Sequence, residues 1–169
     1  MINELLGYLH LKPEYIHLLM NPLPTHGVPL GVAALVLALR RHLREARVVA
    51  LGIIFVSALS AWPVYELGER AYDRVAARTD DDSQAWLDEH SRRAEKVVPG
   101  FYVLAGVAAL ALAAPRLRPK AELPLAGATA VLGTVLTLAG GYVAYAGGRV
   151  AHAEVRTTPP PPAPPQDSE

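Results

Sequence analysis

LPLAGATAVLGTVLTLAGGYVAYAGG, residues Leu123 to Gly148, runs for 26 positions without a charged side chain. A helix needs about 20 predominantly apolar residues to cross a hydrocarbon core about 30 Å thick. Three more stretches meet that requirement or come close to it: Tyr15 to Leu39, Val48 to Tyr65 and Val97 to Pro115, of 25, 18 and 19 residues. The averages conceal this, because 51% hydrophobic residues, 19% charged residues and a formal net charge of zero would suit an ordinary water-soluble domain. The run lengths decide in favour of an all-α, four-helix transmembrane bundle and exclude a soluble enzyme with an aqueous cleft. With no cysteine in 169 residues, disulfide frameworks, thiolate zinc, iron–sulfur clusters and thiol catalysis are excluded as well. The balanced charge gives no basis for a nucleic-acid partner.

Working outward from these runs, the spans are expected at about 25–44, 48–67, 97–115 and 123–148, within a membrane domain of residues 25–156. Residues 1–24 have no basic n-region and no small-residue cleavage site, so they are expected to stay as an interfacial amphipathic segment. Pro13 suits the first turn of a short helix there. Pro22 and Pro24 remove backbone donors and are expected to interrupt the helix before Thr25, which is a good N-cap. Between spans two and three, Trp86, Leu87, His90, Ala94 and Val97 form one helical stripe, which predicts a helical hairpin extending beyond the bilayer. Residues 157–169, with Pro159 to Pro162, Pro164 and Pro165, read as a disordered or polyproline II tail.

Small residues on span four recur every four positions, as Gly133, Thr137 and Gly141 and again as Gly140, Ala144 and Gly148. In lipid, such stripes let a second helix or a flat ligand come close to the backbone. They therefore offer a surface for a membrane-protein partner or for a second copy of this chain.

Seven of the sixteen Lys and Arg residues crowd into two short turns, Arg40 to Arg47 and Arg116 to Lys120. By the positive-inside rule these turns face the cytoplasm, which places both termini and the 68–96 hairpin outside. Five of the six histidines, His10, His17, His26, His90 and His152, then share the outer face, with His42 alone among the inner arginines. Imidazole ligates transition metals and haem iron without help from cysteine. The favoured ligands for haem b or a transition metal ion are His26, His90 and His152, with Glu66 as a further metal ligand or as the group orienting an imidazole. Depth constrains this set. With 20-residue spans, His26 lies about 9 Å inside the outer boundary and His152 about 15 Å above it, so only an outward shift of both spans brings them level. His10 and His17 are expected at the interface.

No catalytic motif is present. Ser57 and Ser60 have no base at comparable depth, and no glycine-rich phosphate loop occurs. Two other readings stay open: a cofactor-free structural or accessory subunit, and a lipid or quinone pocket near Trp62, Tyr65 and Tyr102.

PEYIHLLMNPLPTHG (13–27), SAWPVY (60–65), WLDEH (86–90) and GGRVAH (147–152) together resemble an uncharacterised family of bacterial four-helix inner-membrane proteins. The resemblance covers Pro13 to about Arg156. It implies a small multi-pass bundle in the bacterial cytoplasmic membrane with histidines near its outer rim, and it brings no activity with it. By architecture alone the chain is also similar to membrane cytochromes that hold haem b between histidines on facing helices. It departs from them in having no histidine deep in the membrane on the far side.

Overall fold

The structure, a computed structural model, describes residues 12–160 and 162; the first eleven residues of the N-terminal segment and most of the proline-rich tail lie outside the described residues. Every regular element among the described residues is helical. In chain order they are α1 (Pro13–Met20), α2 (Val28–Arg40), α3 (Arg44–Leu59), α4 (Ala61–Ala76), α5 (Asp81–Leu117) and α6 (Glu122–Ala151). They form four long runs, Pro13–Arg40, Arg44–Ala76, Asp81–Leu117 and Pro119–Ala151, each long and apolar enough to cross a membrane.

Two of these runs differ from what the sequence predicts. The prolines at 22 and 24 do not interrupt the first run. Instead the chain widens into a π-helical turn over Leu23–Gly27 and continues into α2. A wide turn shifts the hydrogen-bond register, which accommodates residues that cannot donate. Thr25 is therefore no N-cap: its hydroxyl donates back to the Asn21 carbonyl at 2.7 Å. In the second run α3 and α4 meet at Ser60, whose hydroxyl donates to the Ser57 carbonyl at 2.7 Å.

The hairpin expected between spans two and three is present. Ala77 to Asp80 turn the chain, and α5 begins where the Asp80 carboxylate accepts the Ser83 N–H at 2.7 Å. The Ser83 hydroxyl and amide hold the Asp80 carboxyl below its usual range.

α2 lies against α3 through two glycines four residues apart. A Cβ on Gly27 would sit 2.2 Å from the Ser57 Oγ, and one on Gly31 would sit 2.6 Å from Ile54 Cγ1. Gly133 repeats the device between α6 and α2, where a Cβ would come within 2.5 Å of Val32 Cγ2. Close backbone approach brings the fully buried Val28, Leu35, Ile54 and Leu104 into one core with Ala50, Ala58, Ala108 and Ala126.

The two short basic turns sit at one end of the bundle, tied by Arg47 and Glu122 at 2.5 Å. α2 ends there with His42 at φ 55°, and the Leu43 N–H reaches the Ala38 carbonyl at 2.9 Å. This is the left-handed helix stop that glycine usually makes. At the opposite end α5 and α6 run on past the apolar segments. Arg93 is buried there, donating to Glu89 at 2.6 Å and to the Tyr142 carbonyl at 2.8 Å, with its guanidinium 3.7 Å from the Tyr142 ring centroid. Arg149, one turn further on, lies 3.7 Å from the Tyr145 centroid and 5.0 Å from that of Trp86. Two stacked cations thus fasten the hairpin to α6.

A candidate cofactor cavity at the histidine-rich end

α4 and α6 make no substantial packing contact with each other; α5 lies between them and α1 leans on α4. The gap this leaves is a cavity of about 500 Å³, walled by α1, α4, α5 and α6 and lined mainly by apolar side chains. That volume is in the range of ~300–1,000 Å³ usual for cofactor and ligand sites. Four small residues, Gly140, Ala144, Gly147 and Gly148, line its α6 wall beside Val143, Val150 and Ala151. One of the two small-residue stripes of span four, Gly140, Ala144 and Gly148, therefore faces the cavity. In the other stripe, Gly133 is spent on packing against α2 and Gly141 is open.

Two imidazoles stand on the cavity wall in matching arrangements. His17, on α1, has Nδ1 2.8 Å from the Val64 carbonyl of α4 and its ring over Gly68, where a Cβ would come 3.1 Å from Cε1. His90, on α5, has Nδ1 3.0 Å from the Val143 carbonyl of α6 and its ring over Gly147, where a Cβ would come 3.0 Å from both Cε1 and Nδ1. A carbonyl can only accept, so each ring presents its Nδ1–H to it and leaves Nε2 as the nitrogen open to another partner. No described residue hydrogen-bonds to either Nε2.

The wall has few other polar groups. The Tyr72 hydroxyl is hydrogen-bonded to the Asp88 carboxylate, and the Ser91 hydroxyl donates to Glu69 at 2.9 Å, so α4 and α5 are stitched together along its outer edge. Glu14, beside His17, lies 3.3 Å from Arg74 Nε and 4.0 Å from Arg78.

The residues singled out from sequence fall in different places. His90 and His152 both line the cavity, whereas His26 and Glu66 do not. His26 is exposed, with Nδ1 3.0 Å from the Thr25 hydroxyl. His152 ends α6 at the mouth with Nδ1 3.0 Å from the Glu154 carboxylate. That carboxyl is held below its ordinary range by its own backbone N–H and then by the His152 ring. Glu66 pairs with Arg70 at 3.5 Å. Among the described residues no three of His, Asp and Glu gather closely enough to hold a metal ion. Tyr65 lines the cavity, while Trp62 and Tyr102 do not.

Sequence reasoning missed His17. The apolar residues around it, Tyr15, Leu18 and Leu19, are exposed, which is the surface pattern of an interfacial helix. What draws His17 inward is a carbonyl 47 residues away. The one local signal was the pair of glycines, Gly68 and Gly147, at the depth where the rings settle. No protein-family model matches this chain, and no curated protein or solved structure matches it significantly.

Proposed function

We propose that this protein is a multi-pass protein of the bacterial cytoplasmic membrane that holds a flat, largely apolar, metal-bearing cofactor, a haem or a transition-metal complex, in the cavity at its outer end. The observation that carries this reading is the cavity itself. It is an apolar slot with a backbone-smooth wall on α6 and imidazoles on the walls beside it. An apolar enclosure with a few convergent polar groups is the usual form of a cofactor site. The small residues on α6 let the edge of a guest come close to the helix backbone.

Orientation follows from charge pairing. At the end bearing the two short turns, Arg40, Arg41, Arg116, Arg118 and Lys120 have no carboxylate within 4.0 Å among the described residues. At the other end Arg74, Arg78, Arg92, Arg93 and Arg156 all face carboxylates. Seven Lys and Arg residues crowd into the two short turns beside the span ends, and the positive-inside rule, which counts such cations, assigns that end to the cytoplasm. Both termini and the cavity then lie on the outer side.

The test is spectroscopic and elemental. Protein purified in detergent from cells supplied with haem precursor and trace metals should carry a Soret band or a stoichiometric metal. Neither signal, in folded protein, refutes the reading and favours the cofactor-free accessory subunit. Under that alternative Gly141, open on α6, is where a partner helix docks, and Gly141→Leu would break the association.

A further inference from the structure

We infer that the guest is a single iron tetrapyrrole of the haem b type, with His17 and His90 as its two axial ligands. This rests on the cofactor reading above and names its ligand and its ligating residues.

The argument begins with what the wall can supply. A bare transition-metal ion in a protein needs about three or four protein donors. Among the described residues no such group exists. Three imidazoles line the cavity, those of His17, His90 and His152, and a haem asks for only two, because the macrocycle brings four nitrogens of its own and leaves only the axial positions to the protein. Ligand count therefore separates the two guests that imidazole chemistry alone leaves open.

The state of the rings points the same way. Iron takes a neutral imidazole through an unprotonated nitrogen, and a ligating histidine gives its other N–H to a carbonyl or carboxylate that fixes the tautomer and the ring orientation. His17 and His90 both have this arrangement already, through the Val64 and Val143 carbonyls at 2.8 and 3.0 Å. The two carbonyls belong to α4 and α6, the helices that the cavity separates. Each ring is pinned to one of those two walls, with Nε2 as its remaining donor. His152 is not in this state, since its Nδ1 is engaged by a carboxylate at the exposed mouth.

Room has been made for each ring by a glycine. Side chains on Gly68 and Gly147 would press on His17 and His90 at 3.1 and 3.0 Å. The small-residue α6 wall leaves a macrocycle edge free to approach the backbone.

One mechanical consequence is specific to this arrangement. α1 has no buried side chain, so its seat on α4 rests on half-buried packing, the His17 hydrogen bond and the pairing of Glu14 with Arg74 and Arg78. A His17–iron–His90 bridge would clamp α1 to α5. Ligand binding and ordering of α1 are then linked.

The experiment uses full-length protein titrated with haemin in detergent. Wild type should give a low-spin, two-histidine spectrum in electron paramagnetic resonance and visible absorption, and amide exchange in Pro13–Met20 should slow on binding. His17→Ala and His90→Ala should each abolish the low-spin form, and added imidazole should restore it, which also shows that the variant cavity is folded. His26→Ala, outside the cavity, should leave it unchanged. A haem spectrum that survives both His17→Ala and His90→Ala, or stoichiometric non-haem metal without a Soret band, overturns this inference and leaves the broader cofactor reading standing. Absence of any cofactor overturns both.

Discussion

Gly147→Ala separates stability from ligand placement at the cavity, and the structure sets its magnitude. The new methyl would lie 3.0 Å from both Cε1 and Nδ1 of His90, against an ordinary carbon contact of about 3.5–4.0 Å. The ring must retreat by roughly 0.5 Å, and because Val143 lies on the same helix as Gly147, the retreat also lengthens the bond to its carbonyl. Starting from 3.0 Å, it ends near the limit at which a hydrogen bond ceases to count. The loss is about 0.5–1.5 kcal/mol. Alanine returns about 0.8–1 kcal/mol of helix propensity over glycine. The terms nearly cancel, so thermal unfolding of the cofactor-free protein, followed by far-ultraviolet circular dichroism, should move little. Haemin affinity, read from the Soret titration, should fall by at least tenfold, because a ligating imidazole loses both its position and its orienting partner. Destabilisation by several kcal/mol would show that Gly147 serves helix packing. Unchanged affinity would show that His90 is not held for ligation.

The remaining expectations concern the rest of the bundle. Ile54→Ala empties a fully buried site between α2 and α3 and should cost about 2–5 kcal/mol in detergent unfolding, with a larger loss than any exposed α6 substitution such as Leu138→Ala. Glu122→Ala leaves the nearly buried Arg47 without its carboxylate and should cost about 3 kcal/mol; Arg47→Met/Glu122→Leu together should recover most of it. His42→Gly relieves the left-handed stop at the end of α2 and should raise stability by about 1 kcal/mol. The Asp80 cap is stronger when ionised, its folded pKa lying below the unfolded value of about 3.9. Its contribution is present above that value and is lost as pH falls through the lower folded one. Amide exchange in the first turn of α5 should therefore quicken below about pH 4, and a flat profile there would remove the cap from the account.

What was legible in the sequence was whatever depends on solvent and local period. Charge-free runs of 18 to 26 residues, near or above the length of a bilayer crossing, gave the four helical runs, and the stripe of Trp86, Leu87, His90, Ala94 and Val97 gave the hairpin, since four of those five residues line the cavity and Trp86 is buried beside it. Proline misled by a single turn. Its missing donor does require an irregularity, but whether the chain breaks or widens depends on what packs nearby, and Gly27 against Ser57 holds the Pro24 segment helical.

The site was legible only in composition. Imidazoles crowd one end of the chain, but which of them converge is fixed by contacts 47 and 53 residues apart in sequence. Depth arithmetic applied to spans one and four compares His26 with His152 by their height along the membrane normal. The structure asks instead which carbonyls they can reach. His26 has a neighbouring threonine to satisfy it and His152 a neighbouring glutamate. His17 and His90 have no such local partner and bond to backbone carbonyls on other helices, and a ring held there at one nitrogen keeps the other for a guest. Under the haem proposal, lateral satisfaction of Nδ1 together with a glycine beneath the ring marks His17 and His90, which shared height does not single out.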